Sequence, residues 1–104
     1  MNTTLTVARE QFITFLKEKS RSSSTILAYG KDIEQLVDYL AKNGVNNPND
    51  ATSALLQAFM QKLAQESYTA KSISRKTNST KTFFKFLKNL SLIMNNVGLE
   101  DAGF

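Results

Sequence analysis

Residues 22–44, SSSTILAYGKDIEQLVDYLAKNG, decide how the rest of this chain is read. On a helix turning about 100° per residue, Ile26, Tyr29, Ile33, Leu36, Val37 and Leu40 fall within an arc of about 100°. A stripe of that width is the buried face of an amphipathic helix. The stretch also marks its own ends. Serine side chains suit caps and turns because they compete for backbone hydrogen bonds, so Ser22 is the expected N-cap of a helix over about Ser23 to Asn43. Asn43-Gly44 ends it, because glycine takes the left-handed C′ conformation with no Cβ to clash.

The flanking segments repeat this grammar. Upstream, Ala8, Phe12, Phe15 and Leu16 recur at helical spacing between about Thr6 and Lys19, with Arg9, Glu10, Lys17 and Glu18 pointing elsewhere. Ser20-Arg-Ser-Ser-Ser24 interrupts that helix. Downstream, Asn46-Asn-Pro-Asn-Asp50 is a turn-rich connector. A third helix, about Thr52 to Gln65, spreads Leu55, Leu56, Phe59, Met60 and Leu63 over a wider arc, as contact with more than one neighbour requires. Glu66-Ser-Tyr-Thr69 is a short turn with Thr69 as N-cap. The fourth helix runs from about Ala70 to Leu90. Ile73, Thr77, Thr80, Phe84, Leu87 and Leu90 share one side, flanked by Phe83. Lys71, Ser74, Arg75, Asn78, Lys81, Thr82 and Lys85 lie opposite. This helix holds six basic residues and no acidic one. Ser91 to Phe104, passing through Asn95-Asn96 and Glu100-Asp101, reads as a linker. The expected fold is all-α, four helices in one domain.

Composition closes off most chemistry. The 104 residues include no histidine and no cysteine, which excludes Cys/His zinc sites, disulfides, thiol nucleophiles and histidine-based triads. Hydrophobic residues at 41% and charged residues at 21% fit a soluble globular chain, while a single proline and four glycines leave few breaks for a many-stranded β fold. The start carries no signal-peptide pattern, and no run approaches the roughly 18 apolar residues of a membrane span, so a cytoplasmic protein without membrane contact is expected. Asp32, Glu34 and Asp38 share the second helix, but Glu34 and Asp38 fall on its solvent face near Lys31 and Lys42, so a solvated charged face is the reading and not a catalytic set. Gly30 inside that helix costs about 1 kcal/mol relative to alanine and signals close packing or close approach to a ligand. No glycine-rich phosphate loop exists. No catalytic residue, metal or cofactor is expected.

Binding is the better-supported class. The formal charge is +4, a modest excess that favours a polyanion only where it clusters. A helix that is basic and short-polar on one face and apolar on the other can lie in a major groove. Its lysines and arginines neutralise phosphates, and serine, threonine and asparagine reach phosphates or base edges. The face alone singles out Lys71, Arg75, Asn78, Lys81 and Lys85. The amide-rich helix start at Ser22-Ser23-Ser24-Thr25 is a second candidate phosphate contact. On charge alone, lysines that merely keep the helix soluble explain the pattern equally well.

Two stretches carry a family resemblance. Ser22-Ser-Ser-Thr25-Ile-Leu-Ala-Tyr29-Gly-Lys-Asp32-Ile33 is similar to S-x-x-T-x-x-x-Y-x-x-D-aliphatic, continuing through Leu36, Tyr39 and Leu40. Tyr68 to Leu87, with Ile73, Arg75, Lys81, Phe83, Phe84 and Phe86, is similar to S-x-x-T-I-x-R-x-L-S-x-L-R-x-F-F-x-F-L. Together they resemble the core-binding, SAM-like N-terminal domain of the tyrosine recombinase (phage integrase, Xer-like) family, from about Val7 to Asn96. The sequence departs from that pattern at Thr77 and Thr80, where the family has aliphatic residues, and at Asn95-Asn96, where an Asn-Pro often stands.

The resemblance implies a compact four-helix orthogonal bundle. Residues 1–92 would be the DNA core-binding domain, and 93–104 a linker toward a catalytic C-terminal domain absent from this sequence. It implies binding of double-stranded DNA in site-specific recombination, with the second and fourth helices at the major groove. By position it assigns DNA contact to Ser24, Thr25, Lys71, Ser72, Arg75 and Ser79. Other recombinase protomers would be partners on DNA, the first helix meeting a neighbour, and the isolated domain would be monomeric. The family's catalytic arginines, lysine, histidines and tyrosine lie in the C-terminal domain, so this chain alone is expected to be no enzyme, with Tyr29, Tyr39 and Tyr68 as core or surface residues. Leu27 falls off the apolar arc and is expected to be a stray surface leucine or a DNA contact. Two other readings stand beside this one: a stand-alone helical DNA-binding regulator, and a protein-interaction module with a basic face.

Overall fold

A computed structural model describes residues 4–89 of the chain. Helix α1 spans Leu5–Glu18, α2 Ser23–Lys42, α3 Ser53–Gln65 and α4 Ala70–Asn89, with a single 3-10 turn at Pro48–Asp50 between α2 and α3. The described residues contain no strand, so the fold is all-α as expected. The helix bounds agree with the sequence reading to within a residue or so. Leu90 and the linker reading of residues 91–104 lie outside the described residues.

Each helix begins on a hydroxyl. Thr4, Ser22 and Thr52 accept hydrogen bonds from the amides of Val7, Thr25 and Leu55, and Thr69 accepts from Ser72 N at 3.1 Å. These caps satisfy amides that have no carbonyl one turn back. The first three helices also end alike. Gly44 takes φ +79°, and Ser20 and Ser67 take φ 56° and 68°. At each, the next amide reaches back to a carbonyl of the last turn: Arg21 N to Leu16 O, Val45 N to Leu40 O, Tyr68 N to Leu63 O. This is the Schellman termination, built on glycine once and on serine twice.

The core follows the predicted stripes. Phe12, Leu16, Ile33, Leu36, Leu40, Leu56, Phe59, Leu63, Phe83, Phe84 and Leu87 are buried. Phe12 is the hub, with ring centroids of Phe83 at 5.4 Å, Phe86 at 5.5 Å, and Phe15 and Tyr29 each at 6.4 Å. Of the two readings of Gly30, the structure shows close packing. A Cβ there would stand 3.0 Å from Ile13 Cδ1, and Arg9 Nε donates to the Gly30 carbonyl at 3.0 Å. Thr80 is buried where an aliphatic residue was the pattern. Its hydroxyl is satisfied within its own helix, donating to Lys76 O at 2.8 Å. Tyr29 and Tyr39 are half-buried against the core. Leu27 is a surface leucine, 61% exposed.

Candidate nucleic-acid interface

Helix α4 buries Thr80, Phe83, Phe84, Phe86 and Leu87 and, on the same side, the polar Lys76 and Ser79; Lys71, Ser74, Arg75, Asn78 and Lys85 are exposed. The two buried polar residues meet Asp32 of α2, which is only 2% exposed. Arg75 donates to Asp32 from two nitrogens, Nε to Oδ2 at 3.1 Å and Nη2 to Oδ1 at 2.9 Å. Lys76 Nζ donates to Oδ1 at 3.0 Å and Ser79 Oγ to Oδ2 at 2.7 Å. Lys76 also donates to Gln35 Oε1 at 2.8 Å, and Gln35 Nε2 donates to Tyr68 Oη at 3.1 Å. The Lys76 ammonium lies 5.1 Å from the centre of the Tyr68 ring. Among the described residues, no buried side-chain polar atom lacks a partner.

The electrostatics follow from this crowding. Burial alone would raise the Asp32 carboxyl's pKa. The hydrogen bonds from Arg75, Ser79 and Lys76, with the Lys76 charge, outweigh that and hold it below the usual carboxylate value. The hydrogen bond and charge of Asp32 in turn raise Arg75, so the guanidinium stays ionised. Asp32 therefore does not belong with Glu34 and Asp38 on a solvated face. Those two are exposed, whereas Asp32 is the buried anchor of the α2–α4 contact.

The predicted contact residues separate into groups. Lys71, Arg75, Asn78 and Lys85 share the exposed side of α4, and Lys81 and Ser72 are partly buried beside them. The Ser72 hydroxyl accepts from Thr69 Oγ1 at 3.0 Å. Ser79 does not lie with them: it is fully buried, because its hydroxyl is used by Asp32. Ser24 is exposed at the start of α2, and Thr25 is half-buried, its hydroxyl accepting from Ser22 Oγ at 2.9 Å. Both stand about two turns from Asp32 along α2.

Lys76 and Gln35 were missed by the face analysis. A weak signal existed: on the α2 wheel Asp32 sits about 40° beyond Leu36, at the edge of the apolar arc. A carboxylate on that edge needs cationic partners from the facing helix, and α4 offers only cations. Among the described residues, no group of three acidic side chains is placed to hold a metal, and no helix is long and apolar enough to cross a membrane.

Comparison with known proteins agrees with the motifs. The chain matches the family described as phage integrase, N-terminal SAM-like domain, over residues 10–89. It is 30% identical over 88 residues to tyrosine recombinase XerC of Herpetosiphon aurantiacus, covering 84% of this chain and 29% of that protein. It is 34% identical over 80 residues to tyrosine recombinase XerD of Listeria monocytogenes, covering 75% of this chain and 27% of that protein. XerD of Rickettsia bellii is 32% identical over 85 residues, 77% of this chain and 28% of its own length. The chain thus spans under a third of these relatives. No solved structure matches it significantly. With both motifs in order on four helices, and Asp32 of the first motif gripping Arg75 of the second, the chain belongs to the phage integrase N-terminal SAM-like domain family.

Proposed function

We propose that this chain binds double-stranded DNA as the N-terminal core-binding domain of a site-specific tyrosine recombinase. One observation carries the reading: α4 is free of acidic residues along Ala70–Asn89 and leaves Lys71, Arg75, Asn78 and Lys85 exposed. Such a face can follow a phosphate backbone while short polar side chains reach bases. Lys81 and Ser72 flank it, and Ser24 and Thr25 extend it to the start of α2. Residues 1–92 form the binding domain in this reading, and 93–104 lead toward a catalytic domain carried elsewhere in the parent protein. The chain itself contributes no catalysis, works in the cytoplasm as a monomer when alone, and meets other protomers on DNA.

Titration of a short duplex across a salt series tests the proposal. If about four phosphates are neutralised, log K falls against log salt with a slope of roughly −3.6. Lys71→Ala and Arg75→Ala should each flatten the slope by about one unit. An unchanged duplex affinity in the double variant would overturn the assigned face and favour a protein partner for it.

A further inference from the structure

A carboxylate that grips an arginine ordinarily cancels the charge with which that arginine would attract a phosphate. Asp32 grips Arg75 through both Nε and Nη2, yet the Arg75 side chain is 49% exposed on the outward side of α4. Its Nη1 makes no hydrogen bond among the described residues. The same carboxylate holds a second cation, Lys76, whose side chain is only 9% exposed. One anion and two cations leave the cluster at a formal +1. A tie between α2 and α4 needs only the neutral Asp32–Arg75 pair. Burying a further ammonium adds desolvation that such a pair avoids.

We infer that Asp32 and Lys76 are positioning residues for a phosphodiester contact made by Arg75. Asp32 fixes the guanidinium with its Nη1 edge uncommitted, and Lys76 balances Asp32 so that the charge presented by Arg75 is not cancelled. Ser79 completes the carboxylate's hydrogen bonds without altering the charge. Gln35 and Tyr68 hold the ammonium inside the fold, so Lys76 acts on DNA through its charge and not by touching it. This inference rests on the proposed DNA binding by α4.

The test is Lys76→Gln in the full chain, titrated with a short random-sequence duplex between about 50 and 200 mM salt. The expected slope is flatter by up to about one unit, so across that fourfold salt range the variant loses up to about fourfold less affinity than wild type. In an Arg75→Ala background, Lys76→Gln should flatten the slope by clearly less than it does in the wild type, because the contact it supports is gone. A variant with wild-type helicity, slope and affinity would show that Lys76 is merely structural and overturn the inference. If Arg75→Ala weakens binding while Lys76→Gln does not, the inference fails and the proposed function stands. If wild type shows no salt-sensitive duplex binding, both fail. Should Lys76→Gln not fold, NMR of the wild type decides. The Arg75 Nε–H resonance should keep its Asp32-bonded shift as duplex is added while the Nη protons move. Movement of Nε–H to the position of a released side chain would overturn the inference.

Discussion

Asp32→Asn is expected to destabilise the domain by about 3–5 kcal/mol, the cost of breaking a buried ion pair from one side. The substitution keeps the volume, removes the charge and puts an NH2 donor where a carboxylate oxygen accepted. Arg75 can turn its half-exposed guanidinium to water, but Lys76 cannot follow, because its side chain is 9% exposed and boxed in by Gln35 and Tyr68. An ammonium in that position keeps only neutral amide acceptors and no counter-charge. The loss is a large part of the roughly 5–15 kcal/mol that stabilises a typical domain. Denaturant unfolding at neutral pH measures it. The same network predicts acid sensitivity. The Asp32 pKa is lowered on folding, so in the acid range the unfolded chain binds more protons than the folded one and stability rises with pH. The contribution is complete above the ordinary carboxylate value of about 4 and is lost as pH falls through the lower folded value. Unfolding free energies measured between pH 2 and 6 should therefore show the gap between wild type and Asp32→Asn narrowing below about pH 4.

Phe12→Ala is expected to cost a similar amount, about 3–5 kcal/mol, by a different route. Phe12 is fully buried, and its ring meets aromatic rings from α2 and α4 as well as its own helix. Truncation removes the buried ring and leaves a void whose walls belong to three helices, so no single side chain can collapse to fill it. Thermal or denaturant unfolding followed by far-ultraviolet circular dichroism checks it. Phe15→Ala is the natural comparison: Phe15 lies on the same helix but only half-buried, and its loss should be clearly smaller.

The fold was legible because its signals are local and redundant. Each helix has a hydroxyl cap, and α2 ends on a glycine whose φ is +79°, as a C′ glycine requires. Phe12, Ile33, Leu36 and Leu40 were placed in the core by periodicity alone, since a stripe at helical spacing has few alternatives to burial. The interface was less legible for a physical reason. A helical wheel separates polar from apolar residues, but it cannot tell a polar side chain facing water from one facing a buried partner on another helix. Ser79 and Arg75 carry the same polarity in sequence, yet Ser79 is enclosed at Asp32 while Arg75 reaches from Asp32 into solvent. Lys76 falls inside the apolar arc of the α4 wheel, about 20° from both Phe83 and Leu87, and only the tertiary position of Asp32 shows why a lysine is buried there.

The Asp32 network also bears on how the chain reaches this fold. Its hydrogen bonds from Arg75, Lys76 and Ser79 join residues 43 to 47 positions apart. They can form only after α2, the connector, α3 and the start of α4 have been brought into register. Closing a chain segment of that length costs entropy before any contact is gained. Helical turns form on the microsecond scale or faster, and the docking of α4 onto α2, which needs this longer closure, is the slower of the two events to expect. Misdocked arrangements of α4 would leave the Asp32 charge without its cations as the interior closes, a mismatch that apolar stripes alone would not penalise. The carboxylate thus penalises misregistered docking of α4 energetically, by the charge it would leave unpaired.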